Sequence, residues 1–264
     1  MGFQAAQIHA SSPRALRVPQ RAPETCAPLA CLCADCRLDL YIHAVYLVNL
    51  AAADAEIRAA SIRSLSWTLG AAEQAGAIAV TLHVGSHTGR GFANCRKQIA
   101  SALEALLQAS AGSMLLLENS AGAGGTIGSD FRDLRAILAD QSWDPRLGIC
   151  IDTAHAFATG YDFRRPEESI RLLGSLDETV GLERLRLVHV NDSMTEAGSR
   201  RDRHANIGAG CIGPEGFANL LSHPEIRALP LILETPNPDR RPADLAALQT
   251  ALALAGSRQE PELS

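Results

Sequence analysis

The sequence predicts an α/β fold built on a parallel sheet, and three observations point there. Seven short apolar runs recur along the chain: FQAAQIHA, LDLYIHAV, AIAVTLHV, SMLLLENS, RLGICIDT, LRLVHVND and LPLILETP. Each is nearly continuous rather than alternating, the pattern of strands covered on both faces. Alanine- and leucine-rich segments with helical spacing lie between them, and such alternation builds right-handed βαβ units. Finally, 264 residues with 47% apolar content are enough for a sizeable core, and single α/β barrels run to this length.

The connecting segments follow in order. Helices are expected over 57–75, 92–109, 129–139, 166–176 and 242–255. The stretch ETCAPLACLCADC reads as an alanine-rich helix with small buried thiols at Cys26, Cys31, Cys33 and Cys36. Cys33 and Cys36 have C-x-x-C spacing, but no second pair with ribbon spacing follows. Seven cysteines, an odd number, argue against a disulfide framework. No linker or low-complexity segment divides the chain. One domain over 1–264 is expected, with 256–264 as a frayed tail.

Composition excludes some classes. With 20% charged residues and a net charge of −5, the chain is not a disordered polyelectrolyte. No run approaches the roughly eighteen apolar residues of a membrane span. MGFQAAQIHASSPRAL lacks the basic-then-apolar layout of a signal peptide. A cytoplasmic protein without a membrane partner is expected. The acidic total argues against nucleic-acid binding unless bound cations change the local sum. Lys97 is the one lysine; every other basic residue is arginine, the better bidentate phosphate partner.

The chemistry gathers at the C-terminal ends of the apolar runs. YIHAVYLVNL offers His43, TLHVGSH offers His83, LLLENSAG offers Glu118, and CIDTAH offers Asp152 and His155. LVHVNDS offers His189, the loop RRDRHANIG offers Asp202 and His204, and LILETP offers Glu234. Any one of these is ordinary: a satisfied turn histidine, a capping aspartate, a buried acid paired with arginine. Nine such groups on six strands and one loop are not. In a barrel, the C-terminal strand ends converge on one mouth, where nine uncompensated polar groups are costly. Divalent cations remove that cost, and imidazole with carboxylate suits zinc or manganese. Nine donors exceed the need of one ion, so two or three are implied. Paired ions about 3.5–4 Å apart are the usual device for in-line attack on phosphorus. His9, His87 and His223 fall outside the set: His9 precedes SSPR, His87 follows Gly85-Ser86 where it suits an outer-shell role, and His223 sits beside a proline and reads as surface.

HAVYLVNLA, LHVGSHTG, LLLENSAGAG, IDTAHAFATGYD, VHVNDS, DRHANIGAGCIG and LILETP resemble, in order, the successive motifs of the endonuclease IV family of apurinic/apyrimidinic endonucleases. The match runs from about residue 3 to the late 230s. It implies a TIM barrel of (β/α)8 type with three zinc ions (manganese at one site being an option). It implies hydrolysis of the phosphodiester 5′ to an abasic site, leaving a 3′ hydroxyl and a 5′ deoxyribose phosphate, and trimming of blocked 3′ ends. By motif position, His43, His83 and Glu118 would hold one zinc. Glu118 would bridge to a second, also held by Asp152, His189 and Glu234. His155, Asp202 and His204 would hold the third. Glu118 and Glu234 are the carboxylates carried over as catalytic. The partner is double-stranded DNA with abasic sites or blocked 3′ ends, met by a monomer. Arg14 in SSPR, and Tyr46 and Leu47 after His43, match the residues the family inserts through the minor groove. Arg203, with Arg90, Arg164, Arg165, Arg200 and Arg201, lies beside the metal motifs where phosphate contact is expected.

The chain departs from the family in two places. A GAHVS-like first strand, with its loop and helix, has no counterpart, so the expectation is a barrel of seven visible strands. An internal methionine taken as the start is the favoured account, and a truly shortened gene the other. Val84 stands where the family usually has proline. Two other functions compete. A metal-dependent sugar isomerase on the same barrel would use Glu118, Asp152, His189 and Glu234 and leave His43, His83, His155, Asp202 and His204 surplus. A non-catalytic binder of abasic DNA would bind without nicking.

Overall fold

The computed structural model describes residues 4–110 and 112–257. The chain folds as two compact units, one running to Asn119 and including Gly124–Cys150, the other comprising Ser120–Ala123 and the chain from Ile151 onward.

The first unit holds β1 (Ala5–Ile8), α1 (Ala27–Cys36), β2 (Asp39–His43), α2 (Ala55–Ala75), β3 (Ala79–Leu82), α3 (Phe92–Ala109), β4 (Met114–Glu118), α4 (Phe131–Asp140) and most of β5 (Leu147–Asp152). The strands pair in parallel and in chain order. Ala5 lies opposite Asp39, Tyr41 opposite Ala79, Ala79 opposite Met114 and Leu115 opposite Leu147. Ile42, Val80, Leu82, Leu115, Leu116, Leu117 and Ile149 are wholly buried. Successive strand residues point to opposite faces, so burial of the consecutive leucines means both faces of the sheet are covered. This also explains how leucine-rich MLLLE forms a strand despite modest β propensity: burial on both faces outweighs local preference. The helices begin and end where local chemistry dictates. Asp54 caps α2 by accepting from the amides of Glu56 and Ile57, and Gly76 closes it at φ 65°. That left-handed backbone favours glycine. Asp130 caps α4 through the amide of Arg132.

The second unit holds α5 (Thr153–Ala158), α6 (Pro166–Thr179), β6 (Leu185–His189), β7 (Asp192–Ser193), β8 (His204–Ala205), α7 (Gly213–Leu221), α8 (Pro224–Arg227), β9 (Leu231–Ile232) and α9 (Arg241–Ser257). β6 pairs β9 in parallel, Val188 opposite Leu231, while β7 and β8 pair antiparallel. α7 packs on α9, burying Phe217, Ala251 and Ala255. No helix among the described residues is long and apolar enough to cross a membrane.

All seven expected runs contain strands, and all five expected helices are present. Two readings need correction. α9 runs to Ser257, so the expected tail loses its first two residues to the helix, and 258–264 lie outside the described residues. The cysteine-rich stretch is helical, but of its thiols only Cys26 is buried; Cys31 and Cys36 are exposed. Alanine-rich α1 has no apolar stripe to direct its thiols inward, and none of its residues is buried. The short helices α5, α7 and α8 and the β7–β8 ladder were not expected; they are too short for a periodic signal.

Candidate metal centre

In the first unit, parallel register builds one cluster. β2 ends on His43, β4 ends on Glu118, and His83 follows β3 directly. Leu82 lies opposite Leu117, so the next step along both strands sets His83 beside Glu118. One ligand atom from each of the three residues falls within 4.8 Å of the others. Nε2 of His43 lies 3.0 Å from Oε2 of Glu118, and Nε2 of His83 lies 3.6 Å from the same oxygen. Nδ1 of His43 sits 2.7 Å from the Ala44 carbonyl, which only accepts, so Nδ1 carries the hydrogen. A neutral His43 therefore turns a bare lone pair toward a buried carboxylate. Something positive has to sit there, either a second proton or a metal ion. An imidazole whose far nitrogen donates to a backbone carbonyl is the usual arrangement of a metal ligand.

In the second unit two clusters share Asp152. Ligand atoms of Asp152, His189 and Glu234 lie within 4.8 Å of one another, as do those of Asp152, His155 and His204. Asp152 ends β5 and caps α5, accepting from the His155 amide at 2.8 Å; this sets His155 in the first helical turn. Nδ1 of His189 is 3.3 Å from Glu234. Asp202 was expected in the third set, and its half-exposed carboxylate reaches both imidazoles, 3.2 Å from His155 and 3.3 Å from His204. Nε2 of His204 is buried, lies 3.5 Å from Asp152, and has no hydrogen-bond partner among the described residues. A buried nitrogen facing two carboxylates without a hydrogen bond fits a cation between them. The donor sets, imidazole nitrogen with carboxylate oxygen, suit zinc.

Three residues that the sequence reading missed brace these candidate ligands or the chain beside them. Asn191 is wholly buried; its amide donates to Oδ2 of Asp152 at 2.6 Å and accepts from the Glu234 amide at 2.8 Å. Asp192, also wholly buried, accepts from the backbone amides of Ser193, Gly208, Gly210, Ile212 and Gly213. Asp244 accepts from the Asn206 side chain, the Ile207 amide and the Thr235 hydroxyl. The loop that carries Asp202 and His204 is thus anchored by two buried carboxylates satisfied by hydrogen bonds alone. Asn191 and Asp192 follow His189 closely in VHVND, a sequence signal that was available; Asp244, in the first turn of α9, gives none.

Other sequence candidates have separate roles. His9 commits both ring nitrogens, Nδ1 to the His43 carbonyl at 3.1 Å and Nε2 to the Tyr46 hydroxyl at 3.3 Å. Nδ1 of His87 accepts from the amides of Gly89 and Gly91 and closes its own loop. His223 is not a surface residue: it is half-buried, bonds the Ser169 hydroxyl at 3.0 Å, and burial pushes its pKa down. The Tyr46 amide donates to the Pro13 carbonyl, tying the SSPR loop with exposed Arg14 to exposed Tyr46 and Leu47. The arginines divide. Arg90 is tied to the Ala51 carbonyl, Arg164 to Asp162 and Glu196, and Arg165 to Glu168. The Arg164 guanidinium holds the Asp162 carboxyl below its usual range. Arg200, Arg201 and Arg203 are exposed and make no ion pair among the described residues. The expected phosphate contact thus narrows to this run.

Comparison with known proteins agrees with the geometry. The family model described as xylose isomerase-like TIM barrel matches residues 1–255. The probable endonuclease 4 of Halothermothrix orenii is 40% identical over 207 residues, 78% of this chain and 74% of that protein. The crystal structure of endonuclease IV from Thermus thermophilus superposes with a TM-score of 0.82 at 35% identity, covering 96% of this chain and 90% of that one. A D-tagatose 3-epimerase-like protein superposes at 0.75 with 18% identity, over 98% of this chain and 92% of that one, a likeness of fold alone. The chain therefore belongs to the endonuclease IV family of apurinic/apyrimidinic endonucleases, on a xylose isomerase-like TIM barrel.

Proposed function

We propose that this endonuclease hydrolyses the phosphodiester 5′ to an abasic site in double-stranded DNA, and trims blocked 3′ ends, with three bound zinc ions. One observation carries the reading: three sets of imidazole and carboxylate donors, each drawn to within 4.8 Å. In this reading His43, His83 and Glu118 hold one ion; Asp152, His189 and Glu234 a second; His155, Asp202 and His204 a third. Manganese can replace zinc at one of them. Such ions supply a nucleophile near neutral pH and neutralise phosphate charge as the bond breaks. The chain's own groups orient that chemistry. Glu118 presents its carboxylate from the end of β4, and Glu234, two residues past β9, has its amide held by the Asn191 carboxamide. Arg14, Tyr46 and Leu47 enter the minor groove and replace stacking lost when the abasic nucleotide leaves the helix. Arg203 contacts backbone phosphate. The enzyme works as a cytoplasmic monomer.

The test is incision of a duplex carrying one abasic site, before and after prolonged chelation and after zinc is returned. Chelator-sensitive incision leaving a 3′ hydroxyl supports the proposal. A soluble, zinc-loaded protein that does not incise overturns it; binding without incision points to a damage binder, and turnover of sugars to an isomerase. Metal content separates the last case, since His43, His83, His155, Asp202 and His204 have no role in sugar isomerisation.

A further inference from the structure

We infer that Asn191 is a positioning residue, the group that sets the carboxylate of Asp152 against the backbone that carries Glu234. This rests on the metal reading above. Asn191 belongs to no ligand set, is wholly buried, and uses both ends of its carboxamide. Nδ2 donates to Oδ2 of Asp152 at 2.6 Å, and Oδ1 accepts from the Glu234 amide at 2.8 Å. Its backbone is fixed as well: the Thr153 hydroxyl donates to the Asn191 carbonyl at 2.7 Å and accepts from the Asn191 amide at 2.8 Å. A carboxamide suits this place because it is a donor at one end and an acceptor at the other. An aspartate would keep the acceptor for Glu234 but oppose one carboxylate to another. Alanine would leave the Glu234 amide and the Asp152 oxygen each short of a partner. The bond to Oδ2 leaves that oxygen one direction for a further partner and denies it rotation. It thereby chooses which lone pair faces the metal. Outer partners of metal ligands change metal affinity by about 10–100-fold.

The experiment is zinc retention, measured on the full chain by competition with a chromogenic chelator, for the wild type, Asn191→Asp, Asn191→Ala, Thr153→Val and Thr153→Ser. The near-isosteric Asn191→Asp guards against a variant that merely fails to fold, and melting of the metal-free proteins reports folding separately. The expected result is that both Asn191 variants release zinc about 10–100-fold more readily, while one ion, that of His43, His83 and Glu118, stays as tight as in the wild type. Thr153→Val shows the same change more weakly, and Thr153→Ser restores the wild-type value. Equal zinc affinity in wild type and Asn191→Asp overturns the inference and leaves the metal reading intact. Uniform loss of all zinc together with a lowered metal-free melting point overturns it too, as mere structural damage. A wild type that holds no zinc overturns both. A wild type that holds zinc without incising DNA overturns only the proposed function, and the variant comparison still decides the role of Asn191.

Discussion

The two units reach similar ligand chemistry by different routes. In the first, His43, His83 and Glu118 sit at or just past the ends of adjacent parallel strands, and the ladder itself sets their spacing. In the second, Asp202 comes from a loop and His204 from the two-residue β7–β8 ladder, and the buried carboxylates of Asp192 and Asp244 brace the chain around them. Ligands on a sheet inherit its precision, whereas ligands on a loop need a polar scaffold made for them. A strand-borne set should therefore withstand substitutions that spoil a loop-borne one.

The largest expected effect is at the strand-borne set itself. Glu118→Ala should abolish incision and lose the ion of the first unit. Metal analysis retaining the wild-type zinc content would break the assignment. Next comes the loop scaffold. Asp192→Ala strands up to five backbone donors, each orphaned buried donor costing roughly 1–3 kcal/mol. The expected outcome is a loss of about 3 kcal/mol or more and weakened zinc binding by His155, Asp202 and His204, with the His43 set unchanged. Equal weakening of both sets, read by chelator competition, would dissolve the contrast between the units.

A core substitution tests the other side. Leu116, wholly buried in β4, loses about 2–5 kcal/mol when cut to alanine, seen as a lower melting temperature. Zinc stoichiometry at temperatures where the protein stays folded should hold. Gly210→Ala is milder. A methyl there would meet Oδ1 of Asp192 and the Ser193 carbonyl, each at 2.5 Å, so the loop must shift at about 1–3 kcal/mol. Loss of zinc from the second unit before any fall in melting temperature would sharpen the comparison. The smallest effect is at His223. Burial depresses its pKa, with Glu225 opposing, so the unfolded chain takes the proton first. Stability contributed by neutral His223 is present at high pH and lost as pH falls through the usual histidine value, about 6.5. His223→Asn should flatten that part of the stability profile in denaturant titrations, and an unchanged profile would mean that the ring is hydrated.

Much of this was legible in residue order. The seven apolar runs were legible because strands buried on both faces must be apolar throughout, whatever their neighbours. The candidate ligands at their ends were legible because a histidine or acid there makes little sense singly and good sense in concert. The candidates for phosphate contact were only partly legible. Arg164 and Arg200 look alike in sequence, yet Asp162 and Glu196 occupy the first and nothing among the described residues pairs the second. Whether an arginine is available depends on which carboxylate folds beside it, and that is a tertiary fact.

The sequence by itself determined the strands, the principal helices and the family, and it singled out the nine candidate donors, since each depends on local pattern or motif order. Only the tertiary structure decided what holds those donors. It assigned Asn191 to Asp152 and Glu234, and Asp192 and Asp244 to the loop of Asp202 and His204. The physical reason is the range of the hydrogen bond. It acts over about 3 Å in space, so partners such as Asn191 and Glu234, 43 residues apart, leave no periodic trace in the chain.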